Sequence, residues 1–349
     1  MNLRCYIIAT VILAGICIIV RSISQKKHHD ITKKRVSKYI ILSLLAITIL
    51  VAIAILRNSW RAWLYTPTQI VKVADYYMIE DCWNGRIVYS NKLQQPAFMD
   101  TVTENIKGGH TIASDGEYFL LDDSENNQVL LYKINEPTKL LQIVKVDGRP
   151  HFILYNEGRF FILSSFGACI YEAIISNGKL QIINCHIIDE NINYARSISI
   201  MGGCLYLPTS DGAIYKVDLS SWDILEVYNL PIDIGGMNYI EKIENYYYLT
   251  IYSGSNFDMS YPPKIIRVKD LRDLSEGNYQ DITNLFDIKG VPYFISCFDN
   301  KYYLTEIDTN QGIYEFEVQG DNIFNVQVIY RKKGVPLPCK LRKKKVFER

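Results

Sequence analysis

Two regimes of hydrophobic patterning divide the chain. From Cys5 to Val20 and from Tyr39 to Leu56 the sequence runs sixteen and eighteen residues without a charged side chain, rich in Ile, Leu, Val and Ala. A helix rises 1.5 Å per residue and the hydrocarbon core of a bilayer is roughly 30 Å thick, so runs of this length predict two transmembrane helices, over about 3–20 and 39–56. A cleavable signal peptide competes for the first run, but Arg4 alone precedes it and Arg21, not a small-residue cleavage site, follows it. From Thr66 the helical runs stop. Short β-branched and aromatic segments then alternate with Gly, Asn and Asp turns every eight to twelve residues, as strands do.

These segments repeat. HTIASDGEYFLLDD from His110, HFILYNEGRFFILSS from His151, RSISIMGGCLYLPTS from Arg196, NYIEKIENYYYLTI from Asn238 and YFISCFDNKYYLTEI from Tyr293 stack on one another, with a fainter copy, TQIVKVADYYMIED, from Thr68. Each is an extended segment, a polar turn and a second strand dense in Tyr, Phe and Leu. A third strand follows in each unit: RIVYS from Arg86, QVLLYKI from Gln128, CIYEAII from Cys169, AIYKVDL from Ala213, KIIRVKDL from Lys264 and GIYEFEV from Gly312. Fourth strands are expected at 97–104, 140–146, 180–188, 223–230, 281–288 and 324–331. The unit starts lie 42, 41, 45, 42 and 55 residues apart. Four short strands in that span match a propeller blade, whose faces are covered by its neighbours. The stretches GRIVY, GRFF and SENNQVLLYKI before GRPHFI resemble the six-bladed NHL-type propellers, at the level of the blade pattern over 66–331. The predicted fold is all-β: a six-bladed β-propeller of four-stranded blades preceded by two transmembrane α-helices. A pair of β-sandwiches is the alternative by strand count, and the in-register copies argue against it.

Charge adds topology. The whole chain is nearly neutral, 38 basic against 37 acidic residues, yet 21–38 carries seven Lys/Arg and 331–349 carries nine, which leaves 57–330 at −14. Such a body is a poor nucleic-acid binder. A basic loop at 21–38 stays cytoplasmic by the positive-inside rule, which predicts a multi-pass cell-membrane protein with an extracytoplasmic C-terminal domain. The expected organisation is an anchor over 1–65, a propeller over 66–331 and a basic tail over 332–349 that could touch anionic lipid or wall polymer.

In a propeller the first strand of each blade lines the central channel, which the resemblance implies here. The aligned starts Thr68, His110, His151, Arg196, Asn238 and Tyr293 would then ring one channel mouth, all polar or amphipathic among apolar strands. A solvated channel would also accept polar residues at these places. The same face receives loops holding Trp83, Asp123, Phe166, Phe257, Tyr261 and Glu306. Aromatic faces beside polar groups suit sugars: Arg196 would hold an acidic group, His110, His151 and Asn238 would read hydroxyls, and Trp83 or Tyr261 would stack. The expected function is a binding or scaffolding module for a carbohydrate or cell-envelope polymer, with the lipid bilayer and other membrane or envelope proteins as further partners.

An enzyme is the competing class. His110 and His151 could ligate zinc, although a catalytic zinc takes a third protein ligand. Together with Arg196, Met237 and Tyr293 they are similar in type to the channel of propeller amidating lyases. Calcium-dependent lactonases of the gluconolactonase and paraoxonase type would want Glu, Asn and Asp, and only Asn238, with Glu306 further along, fits. A metal-dependent lyase or hydrolase using zinc or calcium at the same mouth, and a protein-binding propeller with a silent channel, therefore stay open beside a module without cofactor. Cys169 and Cys185 could pair across neighbouring strands, but isolated cysteines among apolar residues read first as small hydrophobes.

Overall fold

The structure is a computed structural model that describes residues 41–49, 51, 63–167, 169–308 and 311–331. The chain divides into two compact units, Met1–Trp63 and Leu64–Arg349. Among the described residues of the second, 24 strands form six antiparallel four-stranded sheets, each from four consecutive strands: 67–103, 112–145, 150–187, 199–229, 236–281 and 291–331. The first strands of the first three sheets pack side by side, as do those of the last three; the third and fourth sheets share an apolar cluster, and the first strand of the first sheet packs on the last sheet, so the sheets are blades of a closed ring. Blades are numbered 1 to 6 in chain order.

The near-continuous apolar second strands follow from this closure. Side chains alternate across a strand, and both faces of a blade are covered by a neighbour. In blade 2, Phe119 and Leu121 pack with Val73, Met78 and Ile87 of blade 1, while Leu120 between them packs with Ile153, Phe160 and Ile162 of blade 3. Each such fully buried side chain contributes roughly 1.5–3 kcal/mol. The axis is filled as well: Phe152, Tyr239 and Phe294, from blades 3, 5 and 6, meet with ring centroids 5.0, 5.5 and 5.8 Å apart. A solvated channel is therefore not what the inner strands enclose at this level.

No strand is shared between the chain's first and last blades, so side chains close the ring. Thr305 Oγ1 of blade 6 donates to Thr68 O of blade 1 at 2.7 Å, and Tyr77 OH of blade 1 donates to Asp299 Oδ2 of blade 6 at 2.7 Å. Ile70, Ile79 and Val88 of blade 1 share an apolar cluster with Tyr303, Ile313 and Tyr330 of blade 6.

Three sequence expectations need correction or refinement. Among the described residues no helix is long and apolar enough to cross a membrane. The described part of the second apolar run is helical over 41–49 and at 51. The pair of transmembrane helices is thus not supported, and the multi-pass location with an extracytoplasmic domain falls with it. The first run, the basic loop and the tail lie outside the described residues. The fourth strand of blade 5 is only Gln280–Asp281, because Arg272–Ser275 forms a helical turn that buries Leu274 in its place. Cys169 and Cys185 are joined as a disulfide between the third and fourth strands of blade 3.

The closing seam yields a direct expectation. Thr305→Val removes the hydroxyl that also accepts from Phe294 N at 3.2 Å, and leaves Thr68 O buried without a donor. A loss of about 1–3 kcal/mol in urea unfolding should result; a variant as stable as the parent would show that the seam does not depend on this bond.

Candidate functional site

The ring residues owe their direction to a repeated distortion. In blade 1, Pro67 pairs with Asp81 and Gln69 with Glu80, which leaves Thr68 as an extra residue. His151 is extra between Pro150 and Phe152, and Asn238 between Met237 and Tyr239. In blade 6 the register slips between Pro292 and Ile295, freeing Tyr293 and Phe294. Such β-bulges re-aim side chains, here toward the axis. His110 and Arg196 stand just ahead of their strands, which begin at Ile112 and Ser199.

The five candidate residues after Thr68 come together. Tyr293, buried in blade 6, reaches across the ring: its hydroxyl lies 3.2 Å from His110 Nδ1 and 3.4 Å from His151 Nε2. The two imidazoles stack, centroids 3.7 Å apart and planes 13° from parallel. His151 Nδ1 faces Arg196 O at 3.0 Å. Arg196 Nη1 donates to Asn238 Oδ1 at 2.8 Å, and Asn238 Nδ2 donates to Pro292 O at 2.7 Å. One proton assignment turns all three histidine contacts into hydrogen bonds. His151 carries its proton on Nδ1, Tyr293 donates to His151 Nε2, and His110 Nδ1 donates to the Tyr293 oxygen. His110 Nε2 is then left as an acceptor at the half-buried end of the chain.

Electrostatics hold both histidines neutral. Burial first, and then Arg196, push His151 down to about 3; burial, then His151, Arg196 and Arg149, push His110 well below the ordinary imidazole range. Burial likewise holds the Tyr293 phenol well above its usual range. The guanidinium of Arg196 sits 4.4 Å from the ring centre of Tyr252, 5.7 Å from Tyr194 and 5.9 Å from Phe257. Arg86, Arg159, Arg272 and Arg331 each pair with a carboxylate, whereas Arg196 and Arg149 have none among the described residues.

Beneath the histidines lies a set of buried acids. Asp122 accepts from His110 N at 3.0 Å and from Thr111 N at 2.6 Å, and burial raises it to about 7. Glu80 is fully buried with neither oxygen hydrogen-bonded. A side-chain carbon at Gly109 would come within 2.6 Å of Glu80 Oε1, so a larger residue there would have to displace this carboxyl. Burial, then Asp122 and Asp81, push Glu80 well above the carboxylate range.

The remaining sequence candidates have other surroundings. Asp123 is buried and accepts from Lys107 N at 2.9 Å and Gln128 Nε2 at 2.7 Å. Glu306 is buried and accepts from Lys289 N at 2.8 Å. Both hold loops. Tyr261 lies against Gly254, and Trp83 is 41% exposed. Asn238 spends both ends of its amide on Arg196 and Pro292, so it aims the guanidinium instead of reading a hydroxyl. The stacked imidazoles direct their in-plane lone pairs along parallel planes, and three of their four nitrogens are engaged. Among the described residues no three His, Cys, Asp or Glu are gathered to hold a metal ion. Sequence reasoning missed Tyr194, Tyr252 and Arg149. It also passed over one signal, the proline directly before Thr68, His151 and Tyr293, since proline inside a sheet marks strand starts and bulges.

No protein-family model matches the chain, and no curated protein does. Among solved structures, the chain is similar to the β-propeller domain of Cps50 (Swd1) from Myceliophteria thermophila, at 12% identity and a TM-score of 0.49 over 75% of this chain and 87% of that one. It is also similar to a chain of a mitotic checkpoint complex, at 10% identity and a TM-score of 0.49 over 79% and 86%.

Opposite pH dependences follow from the two buried sets. His151 is depressed from 6.5 to about 3, so the unfolded chain binds its proton more readily and stability falls as pH drops from about 6.5 toward 3. Glu80 is raised, so stability is lost as pH climbs above its ordinary 4.5. His151→Gln should flatten the acid limb. Glu80→Gln should raise the unfolding midpoint at roughly pH 8 while changing little at pH 4. Unfolding midpoints measured across that range test both; parallel profiles for wild type and Glu80→Gln would exclude the carboxyl as the source of the alkaline limb.

Proposed function

We propose that the propeller is a binding module whose mouth, formed by His110, His151, Arg196 and Tyr293, takes an acidic sugar. The observation that carries this reading is Arg196: a half-buried guanidinium, walled by three aromatic rings and aimed by Asn238, without a carboxylate of its own. Cation–ring contacts and a hydrogen bond to the Tyr194 hydroxyl offset part of the cost of burying that charge but supply no carboxylate. Asn238 Oδ1 takes one donor, and a ligand carboxylate would take two more in the bidentate geometry that guanidinium favours. His110 Nε2, neutral and unprotonated, would accept from a sugar hydroxyl. The exposed edges of Phe166, Tyr194 and Phe257 would pack against the apolar face of the sugar ring.

Neutral imidazoles favour this use over acid–base chemistry. A base whose proton affinity is held as low as that of His151 is a weak proton acceptor near neutrality, and the one nitrogen left open, His110 Nε2, can still accept a hydrogen bond.

Thermal-shift measurements on the full-length chain should show the midpoint rising with galacturonic or glucuronic acid and not with galactose or glucose. Arg196→Ala should abolish the rise, and Arg196→Lys, which keeps the charge but not the planar fork, should retain less than about one-tenth of the affinity. Equal shifts with acidic and neutral sugars, or shifts that survive Arg196→Ala, would refute the reading.

A further inference from the structure

We infer that the mouth holds two anionic groups, one at Arg196 and a second at Arg149 across the face of Phe166 and Tyr194, so that its ligand is an acidic oligosaccharide charged on more than one sugar. This rests on the reading of the mouth as an acidic-sugar site and extends it along the ring from blade 4 toward blade 3.

Arg149 lies in the loop ahead of the inner strand of blade 3. Its backbone is held on two sides: Arg149 N donates to Asn127 Oδ1 at 3.0 Å, and Ser165 N donates to Arg149 O at 3.0 Å. The neighbouring Gly148 O accepts from Phe166 N at 3.1 Å. Arg149 itself has φ +61°, a left-handed conformation in which glycine is at ease and arginine is not. The loop thus presents a long cationic side chain where a residue without one would fit more comfortably.

That side chain points into the same wall. The Arg149 guanidinium lies 5.7 Å from the ring centre of Phe166, Phe166 meets Tyr194 at 5.3 Å, and Tyr194 lies 5.7 Å from the Arg196 guanidinium. Two arginines without carboxylate partners therefore bracket a strip of two aromatic rings, one of which, Phe166, is 50% exposed. Arg149 also acts with Arg196 in holding His110 and His151 neutral, which places its charge in the field of the same cluster. In a body whose net charge is strongly negative, two such cations on one strip are a local positive site. A monosaccharide acid can meet one of them. Ring faces to stack on, with a cation at each end, fit a short chain of uronates, whose sugars alternate apolar faces with carboxylates.

Isothermal titration of the full-length protein with galacturonic acid and with trigalacturonate tests the inference. The trimer should bind at least about tenfold more tightly than the monomer, with a steeper loss of affinity on adding salt. Arg149→Gly, which suits the left-handed backbone and should melt no lower than the parent, should erase the trimer's advantage over the monomer. If monomer and trimer bind alike and Arg149→Gly alters neither, the second subsite is refuted while the acidic-sugar mouth stands. If neither binds, the mouth reading fails and this inference with it. If hexaglutamate binds as tightly as the trimer and is equally weakened by Arg149→Gly, the strip serves an acidic peptide and the carbohydrate assignment is overturned.

Discussion

Six inner strands meet around one axis with no further strand between them, and the backbone carbonyls on that side have to find donors elsewhere. Side chains of the adjoining blades supply them. Thr305 reaches Thr68 O, Asn238 reaches Pro292 O, and His151 faces Arg196 O. Thr250 donates to Tyr293 O at 2.5 Å, and Ser199 to Ile240 O. Much else follows from this requirement. The hydroxyls and amides sit at blade junctions, and in blades 1, 3, 5 and 6 the inner strands bulge there and turn the extra residues toward the axis. Structure and candidate site share one origin.

Tyr293 shows how closely the two are joined. It belongs to the last blade, yet its hydroxyl is bonded to the second and third. The His110–Tyr293–His151 cluster cannot assemble before the ring closes, because its central hydroxyl arrives only with the sixth blade. The same closure strips water from the histidines and sets them neutral. Arg196 keeps its charge because three rings and one amide surround it without displacing it from the surface.

The blade repeat was plainly legible in the sequence, since packing between blades demands continuous apolar second strands and the turns between strands demand Gly, Asn and Asp. The fourth strand of blade 5 was not, because buried Leu271 and Leu274 in a helical turn carry the same hydrophobicity as a strand would. The aligned repeat starts named five residues that the fold gathers, but not the contacts they make there. Asn238 was expected to read a hydroxyl, and its amide bonds Arg196 and Pro292 O. Asp123 and Glu306 looked like loop contacts and are buried acceptors of backbone N–H groups. Arg149 escaped notice because its role depends on a backbone conformation and on rings from two other segments, neither of which has a local signature. The apolar runs before the propeller satisfied a length criterion for spanning helices. Length alone does not establish a span, and among the described residues no helix is long and apolar enough to cross a membrane.

The seam between the first and last blades also fixes how the ring would respond to mechanical load. The chain enters the ring through the inner strand Pro67–Val73 and reaches the rim with Asn322–Arg331, the outer strand of blade 6. Tension on the rim strand acts on hydrogen bonds along a single exposed edge, which can break in succession. Tension on the entering segment meets a strand flanked by two blades, with Leu64 N bonded to Tyr330 OH at 2.8 Å and Tyr65 N to Asp81 Oδ1 at 2.7 Å. Those contacts would have to fail together, so a pull from the N-terminal side would be resisted by the whole seam and a pull from the rim by a single strand.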